Sequence, residues 1–164
     1  MATARIVLHE VGPRDGLQVE KTVVPTETKL RWIGALCAAG LDVVQVGSFV
    51  HPEKVPQMAD TDELFRRLTA PGAERKGHAL YSGLVLNEKG LDRALACGVE
   101  MVCLGVSASE THSRKNTGMG TAEATERIVA TARKAVDAGR KVQVSVQSAF
   151  GCGFEGEVPE ERVI

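Results

Sequence analysis

Along this chain, short aliphatic runs alternate with longer stretches in which apolar residues recur at helical spacing. The runs Arg5–His9 (RIVLH), Val43–Val46 (VVQV), His78–Tyr81 with Leu84–Leu86 close behind, Met101–Gly105 (MVCLG) and Val142–Val146 (VQVSV) are predicted strands. Between them, Thr26–Ala39 carries Leu30, Ile33, Leu36 and Cys37 on one helical face and stops at Gly40. Asp62–Leu68 is a second predicted helix, ended by Pro71-Gly72. Asn87 caps a third that runs to Cys97 before Gly98. Thr121 caps a fourth, through Ile128, Val129, Ala132 and Val136 to Gly139, and a further one is expected to start after Pro159. The joins AAGLDVV, ACGVEMV and DAGRKVQV repeat one grammar of helix, glycine stop, charged residue and buried strand, which is the spacing of successive βα units.

Five such units permit two α/β architectures. A doubly wound sheet closes its core in about the 164 residues present, whereas a (β/α)8 barrel takes roughly 250. Length and periodicity alone therefore favour the doubly wound sheet. Composition narrows function more than fold. With 20 Lys and Arg against 21 Asp and Glu, the net charge of −1 provides no basic field, so nucleic acid and anionic membrane are not expected partners. No apolar run approaches the ~20 residues of a membrane-spanning helix, and the segment Met1 to Glu10 lacks a secretory apolar region, which makes a cytoplasmic protein the expectation. Cys37, Cys97, Cys103 and Cys152 show no C-x-x-C or zinc-ligand spacing and read as buried thiols.

The candidate chemistry lies at the predicted carboxyl ends of strands, where both architectures gather functional groups. After the first strand comes Glu10-Val11-Gly12-Pro13-Arg14-Asp15-Gly16-Leu17-Gln18. Pro13 stiffens this turn, Gly16 is expected to supply a positive φ, and Arg14 and Asp15 are presented side by side. A carboxylate is a hard ligand for Mg²⁺ or Mn²⁺, and a guanidinium holds an anionic oxygen, so the pair suits enolate or carboxylate chemistry. His51, His78 and His112 are scattered without ligand spacing. Lys21, Arg114 and Lys115 are cations on loops that could meet phosphates or simply be solvated. Cys152 reads as structural, with no helix N-terminus or cation in view to lower its pKa.

The string EVGPRDGLQ resembles the signature of the hydroxymethylglutaryl-CoA lyase family, one of the metal-dependent TIM-barrel lyases and Claisen-type synthases. The resemblance continues through Ser48-Phe49-Val50-His51-Pro52 and Val55–Asp60, through Ser107–His112 with Lys115-Asn116, and through Phe150–Gly156. It implies that the chain is the first five βα units of a TIM (β/α)8 barrel, residues 1–164 forming the N-terminal part of one catalytic domain. On that resemblance the chain is a fragment or one half of a split protein. The family's His-x-His pair, its Asn and its glycine-rich loop with a reactive Cys lie on later strands and do not occur in these residues.

The same resemblance implies a divalent metal cofactor with Asp15 as its ligand, and Arg14 as the group that stabilises the enolate. Gln18, Ser48 and Asn116 would line the pocket of an acyl-CoA substrate. The implied reaction is cleavage of a 3-hydroxy-3-methylglutaryl thioester to acetyl-CoA and acetoacetate. Glu10 either orients Arg14 or a ligand, or pairs with a cation inside the barrel. Two positions depart from the family. Gln45 stands where a Glu is usual and Ser145 where a Tyr is frequent, and both are expected to point into the barrel mouth, so that Gln45 bears on catalysis. The remaining alternatives are a related lyase with another 3-hydroxyacyl-CoA substrate, an inactive half-barrel that binds acyl-CoA or a partner, and a doubly wound regulatory domain. A homodimer or a complementary C-terminal half is the expected protein partner.

Overall fold

Strand order separates the two architectures, because a doubly wound sheet reverses direction at a switch point whereas a barrel adds each strand beside the last. In the computed structural model, which describes residues 5–164, five parallel strands are hydrogen-bonded in simple sequence order: β1 (His9–Glu10), β2 (Val43–Ser48), β3 (Leu80–Leu84), β4 (Met101–Ser107) and β5 (Lys141–Gln147). The sheet is a curled half-barrel, so the doubly wound expectation from length gives way to the barrel. Residues 1–4 of the N-terminal segment read above lie outside the described residues.

The helices α1 (Thr26–Ala38), α2 (Thr61–Thr69), α3 (Glu88–Ala96) and α5 (Thr121–Asp137) occupy the predicted connections. A further helix, α4 (Glu110–Thr117), follows β4, where no apolar periodicity announced it. Asn87 caps α3 as expected, its Oδ1 accepting from Gly90 N at 2.9 Å. Thr121 is not the cap of α5: Gly120 is, and Thr121 donates through both its N (2.8 Å) and Oγ1 (2.9 Å) to Glu110 Oε2 of α4. The segment after Pro159 makes a short 3₁₀ turn, Glu160–Arg162. Among the described residues no helix is long and apolar enough to cross a membrane.

Two strands differ from their predicted spans for physical reasons. Ile6, Val7 and Leu8 are exposed at the sheet edge, where Leu8 N donates to Asp42 Oδ2 and its carbonyl accepts from Val43 N, both at 3.0 Å, and the ladder proper leaves β1 two residues long. β3 runs unbroken through Ser82-Gly83, because a Cβ at Gly83 would come within 2.7 Å of the Phe49 ring: the glycine is a packing requirement and not a break.

One face of the sheet packs Val44, Val46, Tyr81, Val102 and Leu104 against Ile33, Cys37, Leu64, Leu91 and Ile128 of the helices. All four cysteines are buried free thiols. An ion pair is buried in this shell. Lys29, 1% exposed, donates to Asp60 Oδ1 and to the Gln57 carbonyl, both at 2.6 Å, while Thr26 Oγ1 donates to Asp60 Oδ2 at 2.8 Å. The clamp ties α1 to the loop after β2. At the far edge β5 is exposed, with Val144 49% and Val146 41% accessible, and beside it a hollow of about 300 Å³ is lined by Val106, Ile128, Val129, Ala132, Val136 and Val144.

Candidate active site at the strand ends

The concave face of the sheet is polar. Alternation along each strand sends Gln45, Ser82, Cys103, Gln143 and Ser145 to this side while their aliphatic neighbours face the helices. His9 Nε2 lies 2.9 Å from Ser82 Oγ, and Cys103 Sγ lies 3.8 Å from Gln143 Oε1. In a barrel, alternate strands supply each interior layer. Here β1, β3 and β5 supply His9, Ser82 and Gln143, and β2 and β4 supply Gln45 and Cys103. Burial holds the His9 imidazole below its usual range, with the Arg14 charge acting the same way and a hydrogen bond to Gln143 opposing it. Burial also pushes the Cys103 thiol up, which keeps it protonated and unreactive. His9, Ser82 and Gln143 were not singled out by sequence reasoning, although the period of two that marks one polar residue per strand is the signal that finds them.

Above this layer the turn after β1 forms a single π-helical turn, Gly12–Gly16, with Pro13 buried and Asp15 N bonded to the Val11 carbonyl at 2.7 Å. Gly16 has open space around it and no positive φ, contrary to expectation. At Gly12 a Cβ would stand 2.8 Å from Glu10 Oε1, the atom that accepts the Gly12 N–H at 2.5 Å, so a larger residue there would displace the Glu10 carboxylate. Glu10 thus fastens the turn that carries Arg14 and has no direct bond to the guanidinium.

Arg14 reaches back to β2. Its Nε donates to Gln45 Oε1 at 2.6 Å and its Nη1 to Asp15 Oδ1 at 2.7 Å. Gln45 is buried, so the guanidinium is held by a neutral carboxamide below and an outward carboxylate, 63% exposed, beside it. Nη2 has no side-chain partner among the described residues and is available to an anionic oxygen.

Arg14, Gln45, Gln18, Ser145 and Asn116 line one cavity of about 910 Å³, together with His9, Cys103 and the inward face of α4. Ser48 sits elsewhere. A bulge between Gln45 and Gly47 shifts the end of β2, and Ser48 is completely buried outside the cavity lining, its N donating to Thr61 Oγ1 at 3.2 Å.

Two of the three loop cations are engaged within the protein. Arg114 pairs with Glu110 at 2.6 Å, and Lys115 Nζ lies 3.6 Å from the centroid of the Phe154 ring. Cys152 is held by hydrogen bonds that the sequence did not announce. Its sulfur accepts from Ser109 Oγ at 3.0 Å and from Phe154 N at 3.4 Å, and these bonds hold the thiol below its usual range. Buried and bridged to Gly156, it fastens the loop after β5 to the N-terminus of α4.

The donor set does not make a complete metal site. Among the described residues no group of three or more His, Cys, Asp or Glu stands close enough to hold an ion, and Asp15 is a lone carboxylate with one oxygen already bonded to Arg14. A hard divalent cation requires about six oxygen ligands.

The family model described as HMGL-like matches residues 5–156. The chain is 38% identical over 160 residues to the hydroxymethylglutaryl-CoA lyase of Bacillus subtilis, covering 98% of this chain and 52% of the relative. It is also 38% identical over 163 residues to the 3-hydroxy-3-isohexenylglutaryl-CoA/hydroxymethylglutaryl-CoA lyase of Pseudomonas aeruginosa, covering 97% and 51%. A solved HMG-CoA lyase from Acinetobacter baumannii, in complex with coenzyme A and 3-methylmalate, superposes with a TM-score of 0.85 at 35% identity, over 96% of this chain and 50% of that one. The chain therefore spans about half the length of the curated relatives it matches. With most of its residues matched by the family model and its strands in barrel order, the chain belongs to the HMGL-like family.

Proposed function

We propose that this chain carries the enolate-stabilising half of a carbon–carbon lyase that acts on 3-hydroxy-3-methylglutaryl-CoA or a close 3-hydroxyacyl thioester. The observation that carries the reading is the Arg14 guanidinium, gripped by Gln45 and Asp15 at the carboxyl end of the strands, on a residue that lines the cavity and whose Nη2 has no side-chain partner among the described residues. In the proposed reaction a base takes the proton of the C3 hydroxyl, the C2–C3 bond breaks and the C3 carbon becomes the ketone of acetoacetate. The bonding pair passes to C2 as a thioester enolate, which is then protonated to acetyl-CoA. Negative charge grows on the thioester oxygen as the bond breaks, and a preorganised guanidinium is most effective where charge develops. Gln18 and Asn116 line the substrate cavity, and Asp15 is a single candidate ligand for the family's divalent cation.

Gln45 fixes Arg14 without adding charge and cannot accept a proton. Proton transfer therefore falls to other groups than residue 45. A second reading, a half-barrel that binds acyl-CoA without turnover, draws support from this neutral residue and from the incomplete donor set.

The two readings part in one experiment. The chain is joined to the C-terminal half of the Bacillus subtilis relative, and cleavage is compared with that of an Arg14→Ala version. For the lyase, kcat falls about 10²–10³-fold on loss of one such electrostatic contact while KM changes little. Equal kcat in the two proteins would remove Arg14 from the reaction.

A further inference from the structure

The turn that carries Arg14 and Asp15 is fastened at both ends, and only the first fastening belongs to its own strand. At its start Glu10 Oε1 accepts the Gly12 N–H at 2.5 Å. At its end the hydrogen bonds run on without a gap: Leu17 N donates to the carbonyls of Gly12 and Arg14, and Glu20 N to the Leu17 carbonyl at 3.2 Å. The Glu20 carbonyl then accepts from Gln57 Nε2, in the loop after β2, at 2.6 Å. Beyond that point support stops. Lys21, Thr22 and Val23 are exposed, and from Lys21 to Val24 the backbone makes no hydrogen bond among the described residues before Pro25 opens α1.

Gln57 is itself held in place. Its carbonyl accepts from Lys29 Nζ at 2.6 Å, and that ammonium, 1% exposed, is gripped in turn by Asp60 Oδ1 at 2.6 Å. A buried charge fixed on two oxygens sets the backbone of residue 57 before its carboxamide meets Glu20. The contact between Gln57 and Glu20 carries no charge and lies at the surface, so it adds little to global stability. Its effect is local, because it joins the loop after β1 to the loop after β2 where the first would otherwise run unsupported into α1. We propose that Gln57 is a positioning residue of the site, a latch that holds the loop after β1 and thereby keeps Arg14 against Gln45. The assignment rests on the reading of Arg14 given above and adds to it a residue outside the cavity lining.

The test needs no turnover. The 164-residue chain is compared with Gln57→Met, which keeps the length of the side chain and removes its N–H groups, and with Gln57→Lys, which supplies a donor again. Two signals are read: the rate of trypsin cleavage after Lys21, and the exchange of the Arg14 Nε proton with water by NMR. Loss of one neutral hydrogen bond raises the open population of the loop about fivefold. Both rates are therefore expected to rise about fivefold in Gln57→Met, at an unchanged melting temperature, and to return in Gln57→Lys. Unchanged cleavage in Gln57→Met would overturn the latch. Faster cleavage with unchanged Arg14 exchange would overturn the positioning role, since loop and guanidinium would then move independently. Cleavage that rises at every Lys and Arg together, with a lower melting temperature, would make Gln57 a general stabiliser and overturn it as well. None of these results bears on the enolate reading, which stands or falls with Arg14→Ala.

Discussion

At the scale of single residues the site depends on what surrounds Arg14. A family-typical Glu at position 45 would face the guanidinium as a charge partner, whereas Gln45 offers only a carbonyl oxygen at 2.6 Å. The cavity is about one charge more positive for this substitution, which favours a substrate carboxylate and weakens proton handling. Gln45→Glu in the chain joined to a relative's second half is therefore expected to raise kcat for hydroxymethylglutaryl-CoA. Equal kcat/KM across a panel of 3-hydroxy-3-alkylglutaryl thioesters would remove position 45 from catalysis. His9 sets a different signature. Burial lowers its pKa from 6.5, so the unfolded chain binds the proton more readily than the fold does. Its contribution to stability is complete above the unfolded value and is lost as pH falls from about 6.5 toward the folded one. Urea unfolding between pH 7 and pH 5 should show stability declining with acidity in the wild type, and a shallower decline in His9→Asn. Parallel curves would mean that the imidazole is equally solvated in both states.

At the scale of elements, the helices with an apolar stripe are legible in the sequence because burial forces their spacing. α4 is not, since its one fully buried side chain is Ser113 and its ends rest on Ser109 and Gly118. The inward placement of Gln45 follows from strand alternation, and the turn after β1 brings Arg14 to it. The burial of Ser48 does not follow, because a bulge is invisible to a period of two. The loop motif Val55–Asp60, which sequence reasoning could only match to a family, acts structurally, since Gln57 and Asp60 hold Lys29 under the sheet. Removing one partner of a buried pair leaves an uncompensated charge. Asp60→Ala is therefore expected to cost about 3–5 kcal/mol in denaturant unfolding, and a Lys29→Met/Asp60→Leu double variant to recover most of it. Equal destabilisation by single and double variants would show that the loop backbone matters and the charge pair does not.

At the scale of the molecule, the two ends of the sheet differ from its middle. β2 is buried along its whole length, whereas β5 exposes Val144 and Val146 beside the hollow along α5. That apolar edge continues the direction in which each earlier strand was added, and it is where a further βα unit would pack in a barrel of eight. On the proposed function, the strands described here hold the enolate-stabilising groups, and turnover needs the further strands that close a barrel of eight. The most direct measurement supplies hydroxymethylglutaryl-CoA to the isolated chain and to the chain joined to the second half of the Bacillus subtilis relative, and quantifies acetyl-CoA and acetoacetate. The expected outcome is no product from the chain alone and equimolar products from the joined protein. A joined protein that is folded by circular dichroism and yields neither product, or an isolated chain that turns over as a monomer, would contradict that claim.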